Sequence, residues 1–183
     1  RLNTTSIRII GGRNKSYRIV FKASPNLRPT SDRAKETLFS WLQFEIQHKV
    51  CLDLFAGTGS LGFEALSRGA AHVTFVEKDK GLFKNILKNI QHLEYQNNSE
   101  VACSAAIKWI KTNKRQFDLI FLDPPFDQVH YEGLLSSIKT AGLLSEGGRI
   151  YLETDKRTEV ALSKNQIILK DKIIGDVRLM ILQ

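Results

Sequence analysis

Apolar and polar residues alternate on both sides of a glycine pair near the start of the chain: Ile7 and Ile9, then Gly11-Gly12, then Tyr17, Ile19 and Phe21. A period of two flanking a glycine turn predicts a β-hairpin with one basic, solvated face. Pro29, Thr30 and Ser31 then signal a helix start, with Thr30 or Ser31 as the cap and Asp32 well placed in the first turn. Leu38, Phe39, Trp41 and Leu42 supply that helix with an apolar stripe. From Lys49 onward the pattern changes. Apolar strand-like runs at 50–55, 72–76, 100–103, 117–122 and 149–153 alternate with helical spacing at 61–67, 82–90, 107–111 and 131–140. The tail returns to alternation, with Ile167 and Leu169 before Gly175 and Val177, Leu179 and Ile181 after it, predicting an antiparallel pair at the edge of the sheet.

Strands separated by helices require right-handed crossovers, which give a mostly parallel sheet covered on both faces. Ligands of such sheets bind beyond the carboxyl ends of the strands, where the strand order reverses. The chemistry is therefore expected just after Phe55, Val76, Cys103 and Leu122. The division drawn from the pattern is a hairpin extension over 1–27 and a main domain over 28–183.

Composition narrows this picture. The 183 residues are 42% hydrophobic and 25% charged, ordinary for a globular chain of one domain. No apolar run approaches the ~20 residues that span a bilayer. The first ten residues carry Arg1 and Arg8 and no apolar block, so no signal peptide is expected, and a start at Arg1 reads as a trimmed end. Cys51 and Cys103 stand apart in two strand segments and are expected as buried thiols in a reducing compartment, the cytoplasm. The four histidines show no metal spacing, so no metal is expected. No long exposed apolar edge calls for a partner copy, and a monomer is expected. The net charge of +8 is uneven: residues 1–49 hold ten basic and three acidic groups. An excess gathered at one end is the footprint expected of nucleic-acid binding, and equally of a solvated face until other evidence decides.

Two motifs carry chemistry. Gly57, Gly59 and Gly62 satisfy G-x-G-x-x-G between a strand and a helix, and Glu77 follows Gly57 by twenty residues, where a carboxylate can take both hydroxyls of a ribose. Glycine suits such a loop where a ligand nears the backbone or φ turns positive. These features fit a nicotinamide dinucleotide as well as S-adenosylmethionine. Asp53, on the strand itself, shifts the balance: a carboxylate there repels a pyrophosphate and suits an ammonium or sulfonium. Asp123-Pro124-Pro125-Phe126 is the more specific signal. The prolines stiffen the turn and remove donors. The Asp123 carboxylate and Pro124 carbonyl can then accept both hydrogens of one exocyclic amine, aiming its lone pair at an incoming methyl, while Phe126 stacks on the base. Such positioning can lower a barrier by roughly 7–11 kcal/mol.

RIIGG (8–12), LRPTSDRAKETLF (27–39), LDLFAGTGSLGFEALSRGA (52–70), VEKD (76–79) and FDLIFLDPPF (117–126) together resemble the RsmD-type methyltransferases, which modify the N2 amine of a guanine in bacterial 16S ribosomal RNA. The resemblance implies a Rossmann-like class I methyltransferase with a seven-stranded sheet, an N-terminal hairpin and a helix extension. It implies S-adenosylmethionine as cofactor and S-adenosylhomocysteine as product. Asp53, Phe55, Ala56, Gly57 and Gly59 would line the methionine part, Glu77 the ribose and Lys78 the adenine. Ser104 and Ala105 stand where many methyltransferases carry an acidic or amide residue for the adenine amine, a departure that leaves that contact to backbone groups or Ser104. Asp123, Pro124, Pro125 and Phe126 would hold the guanine. Arg8, Arg13, Lys15, Arg18, Arg28, Thr30 and Arg33 would meet RNA, within an assembling or assembled small ribosomal subunit. The base is expected to turn out of its stack, with backbone contacts offsetting a cost of a few kcal/mol. The alternatives are adenine-N6 methylation of DNA, a protein amide acceptor (for which Asn in place of Asp123 is usual), an oxidoreductase, and a non-catalytic RNA-binding protein of the same fold.

Overall fold

The computed structural model describes residues 4–22, 30–125 and 129–183. The N-terminal alternation forms β1 (Thr4–Arg8) and β2 (Arg18–Lys22), antiparallel with Ile7 opposite Ile19. Ile19 and Phe21 turn inward and are buried, while Arg18, Val20 and Lys22 face solvent. The glycine pair does more than turn the chain, because it lies on the helix α2 (Ser60–Ser67). Arg13 N–H donates to the Ser67 carbonyl at 2.7 Å, and Ser67 Oγ donates to the Gly11 carbonyl at 2.6 Å. A Cβ on Gly12, whose φ is +73°, would stand 1.9 Å from the Ser67 carbonyl oxygen, so no side chain fits there.

Of the two candidate caps, Ser31 serves α1 (Asp32–Trp41): its side chain accepts the Ala34 N–H at 3.2 Å, an arrangement worth about 1 kcal/mol. The buried side of α1 comprises Ala34, Lys35, Leu38 and Phe39, a stripe that includes a lysine.

The main sheet follows in chain order as β3 (Val50–Asp53), β4 (His72–Glu77), β5 (Ser99–Cys103), β6 (Phe117–Leu122), β7 (Leu144–Asp155), β8 (Ile168–Ile174) and β9 (Val177–Leu182), with α2, α3 (Lys80–His92), α4 (Ala106–Thr112) and α5 (Tyr131–Thr140) between successive strands from β3 to β7. The spatial order is β5-β4-β3-β6-β7-β9-β8, parallel from β5 to β7 and antiparallel at β9 and β8. Successive residues point to opposite faces. Cys51, Leu119, Phe121 and Tyr151 therefore join a core with the hairpin, α1, α2 and α3, whereas Leu52, Ile120, Leu122 and Leu152 join another with α4 and α5. Ile9 and Ile19 share the first core, so the hairpin is packed onto the sheet's own helices.

The strand order reverses between β3 and β6, which are direct neighbours with Asp53 beside Phe121. Asp123 thus stands two residues past the residue level with Asp53.

Three expectations change. The first sheet strand stops at Asp53 rather than 55: Ala56 N–H leaves the ladder and bonds the Val76 carbonyl at 3.0 Å. The strand expected at 149–153 begins at Leu144, because it resumes across a bulge in which Phe117 pairs with Leu144 and Leu119 with Arg149. Cys51 is buried, and burial pushes its thiol well above the usual range, but Cys103 is exposed, at the end of the edge strand β5. No helix among the described residues is long and apolar enough to cross a membrane.

Candidate active site

Three carboxylates gather at the carboxyl ends of neighbouring strands: Asp53 closes β3, Glu77 closes β4, and Asp123 follows β6. Asp53 is 3% exposed, and its Oδ2 accepts the Gly62 N–H at 3.0 Å. Burial pushes its carboxyl up to about 7; the Gly62 bond opposes this, and the charges of Asp123 and Glu77 add to it. Near neutrality this acid is poised between its two forms, and any cation brought beside it favours the ionised one. Carboxylates grouped in this way suit a cation and disfavour an anion such as a pyrophosphate.

Glu77 accepts the Gly57 N–H on Oε2 at 2.7 Å and the Asp79 N–H on Oε1 at 2.8 Å. A carboxylate has about four acceptor sites, so a carboxylate pinned in this way still has lone pairs to offer ribose hydroxyls. Its carbonyl accepts the Ser104 N–H at 3.1 Å, which joins the loops after β4 and β5. Gly57 and Gly59 both have left-handed φ, at 54° and 81°, and Gly59 caps α2. The third glycine has a different reason: a Cβ on Gly62 would meet the Phe75 ring at 2.2 Å, so Gly62 permits close helix–sheet packing rather than ligand approach. Phe55 is half-buried and Ala56 buried beside this loop, while Lys78 and Ala105 are exposed and the Ser104 hydroxyl bonds the Ala105 carbonyl at 3.2 Å.

Asp123 is half-buried, Pro124 buried and Pro125 exposed; Phe126 and Arg28 lie outside the described residues. Arg13, Lys15, Arg18 and Arg33 are exposed. Arg8 is exposed as well, but its Nε is paired with Asp32 at 2.7 Å. Thr30 is 6% exposed, and its hydroxyl donates to Asp123 Oδ2 at 3.0 Å, which sets it beside the catalytic candidate Asp123. A groove of about 380 Å³ between the hairpin and the start of α1 is lined by Arg8, Arg18, Thr30 and Asp32 among others.

Among the described residues, Glu64 and Lys35 are buried charges that the sequence reading did not single out. Glu64 is fully buried, accepting the Ile10 N–H on Oε2 and the Arg68 Nε–H on Oε1, each at 2.8 Å. Lys35, 1% exposed, donates to the Arg8 carbonyl at 2.5 Å and lies 3.5 Å from Asp32. Burial lowers the Lys35 pKa, with Glu64 and then Asp32 opposing. The one signal in the sequence was a lysine between Ala34 and Leu38 on an otherwise apolar helix face.

A family described as Conserved hypothetical protein 95 matches residues 7–183. The Haemophilus influenzae ribosomal RNA small subunit methyltransferase D is 41% identical over 174 residues, which cover 93% of this chain and 90% of that protein. The chain belongs to the RsmD family. Its Escherichia coli relative of the same description is 36% identical over 172 residues, covering 93% of this chain and 86% of the relative. The solved structure of the Escherichia coli protein yhhF shares the fold with a TM-score of 0.87, at 34% identity and 98% coverage of both chains. The family match begins at residue 7, so the RsmD unit includes the hairpin as well as the sheet.

Proposed function

We propose that this RsmD-family enzyme transfers the methyl group of S-adenosylmethionine to the exocyclic N2 amine of a guanine in bacterial 16S ribosomal RNA. The carrying observation is the Asp123-Pro124 turn, set at the strand-order reversal near the buried Asp53, with Asp123 bonded to Thr30 on the wall of a groove lined by Arg8 and Arg18. Bound S-adenosylmethionine supplies a methyl carbon on a sulfonium: as the N–C bond forms, the C–S bond breaks, its electron pair stays on sulfur, and S-adenosylhomocysteine remains. Asp53 faces the cationic end of the cofactor, Glu77 takes the ribose hydroxyls, and Phe55, Ala56, Gly57 and Gly59 line the methionine part. Lys78, Ser104 and Ala105 border the adenine.

The amine of a guanine is a weak nucleophile because its lone pair is delocalised into the ring. The Asp123 carboxylate and the Pro124 carbonyl accept its two N–H groups and so turn the lone pair toward the methyl carbon. As nitrogen gains positive charge, the bond to Asp123 strengthens, and that carboxylate takes the proton that leaves. Hydrogen bonds to a charged group contribute roughly 1.5–3 kcal/mol each, and orientation contributes more. Residues 1–27 act as the RNA-binding extension of a methyltransferase domain over 28–183, with Arg33 adding to the basic face. The enzyme works as a cytoplasmic monomer on RNA of the small ribosomal subunit.

The test is transfer of labelled methyl to small subunits lacking the modification, compared with naked 16S RNA and DNA, with Asp123→Ala alongside. Label is expected on a guanine N2 of the subunit RNA, falling by about 100-fold or more in the variant while cofactor affinity persists. Label on no nucleic acid, despite tight cofactor binding, would move the acceptor to a protein or small molecule.

A further inference from the structure

Thr30 and Asp123 are 93 residues apart in sequence, and their side chains meet at 3.0 Å. The hydroxyl sits in the residue before the Ser31 cap of α1, so its backbone is fixed by the start of a helix. That helix is anchored beneath the hairpin by Lys35, whose ammonium bonds the Arg8 carbonyl. The other partner, Asp123, lies at the start of a proline turn in which no backbone N–H of Pro124 or Pro125 can orient a carboxylate. Thr30 supplies that side chain with a donor from elsewhere in the fold.

We propose that Thr30 is a positioning residue for methyl transfer: by donating its hydroxyl hydrogen to Asp123 Oδ2, it sets the carboxylate plane in which the acceptor amine is held. The inference rests on the assignment of Asp123 as the amine-holding residue. Thr30 does not itself touch the reacting atoms. Its action is on geometry, so it bears on turnover and not on how tightly RNA or cofactor binds. Valine at this buried position keeps the shape and loses the donor, whereas serine keeps the donor and loses a methyl.

The experiment measures kcat and KM for small-subunit RNA, and cofactor affinity, in Thr30→Val, Thr30→Ser and Asp123→Asn, with thermal melting of each. For Thr30→Val, kcat is expected to fall about ten- to hundred-fold, the range for one hydrogen bond to a charged group, with KM for RNA and cofactor affinity within about threefold. Thr30→Ser restores kcat to within a few-fold of the parent. A Thr30→Val enzyme with parental kcat overturns the inference, as does one in which KM for RNA rises while kcat holds, which would return Thr30 to the RNA-binding face. Failure of Thr30→Ser to recover kcat while melting like the parent overturns it too. A fully active Asp123→Asn, by contrast, removes the assignment on which the inference stands, so the two failures are told apart.

Discussion

Replacing Glu64 by Gln should loosen the hairpin from the rest of the enzyme. The carboxylate is fully buried and serves three partners: the Ile10 N–H and Arg68 Nε–H at 2.8 Å each, and the buried ammonium of Lys35 through its charge. Glutamine is nearly isosteric but has one acceptor oxygen and an NH₂ that faces a donor. Arg68, 24% exposed, can turn toward water; Lys35, at 1%, cannot. Breaking a buried charge pair by removing one partner costs about 3–5 kcal/mol, and the cost here belongs at the lower end because Asp32 still faces Lys35. A chain of this size loses about 2–4 °C of melting temperature per kcal/mol, so the drop should be about 6–12 °C. Denaturant titration and thermal melting read it directly. The cycle with Lys35→Met is the sharper measurement: removing both charges should return at least about 1 kcal/mol relative to the sum of the single changes, since a buried pair replaced by apolar groups is often neutral. A Glu64→Gln enzyme within 1 kcal/mol of the parent, or strict additivity in the cycle, would refute the reasoning.

Asp53 should leave a signature in pH. Its folded pKa of about 7 lies above the ordinary carboxylate value of about 3.9, so the folded chain holds a proton that the unfolded chain has released. Its contribution to stability should therefore fall as pH rises from about 4 to 7 and level off above, a slope absent in Asp53→Asn. A bound cation favours the ionised form, so cofactor binding at pH 6 should release a proton, read by calorimetry in buffers of different ionisation enthalpy; no release would exclude an Asp53 that faces positive charge. On the basic face, Arg18→Ala should weaken RNA binding and lower the salt slope of log affinity by about 1 with kcat unchanged at saturation, and an unaltered slope would remove Arg18 from the phosphate contacts.

The periodicity of the chain was enough to place the helices and strands of the main sheet, because its central strands are continuous apolar runs buried on both faces and helices such as α3 and α5 bury one stripe. Its errors fall where local pattern and pairing part company. Gly147 and Gly148 look like a strand boundary, yet the partner strand picks up Leu144 beyond them. Cys103 sits in an apolar run, but as the last residue of an edge strand it meets solvent. At the site, Asp53, Glu77 and Asp123 were legible because each ends a strand. Thr30 was not: as a polar residue in a basic stretch it reads as surface, and only the folded chain shows the aspartate that it meets. Glu64 was hidden for the same reason, since its main-chain partner Ile10 belongs to a distant hairpin.

These distant contacts form one continuous path. Arg8 of β1 pairs with Asp32 and gives its carbonyl to Lys35; Asp32 opens the helix that Ser31 caps; Thr30, next in line, bonds Asp123. The element proposed to grip RNA and the carboxylate proposed to orient the amine are thus separated by the first turn of one helix. A guanine turned out of its stack is delivered by the backbone on either side of it, so its position is only as precise as the link between the backbone grip and the pocket. A hairpin on a loose tether would hold RNA and leave the amine free to wander. A hairpin bolted through a buried lysine and a buried glutamate cannot be removed as a module either. Deleting it would strip Lys35 and Glu64 of their main-chain partners and expose the faces that cover Ile9 and Ile19. The N-terminal hairpin, proposed as the RNA-binding part, is continuous in packing with the domain that carries the sheet.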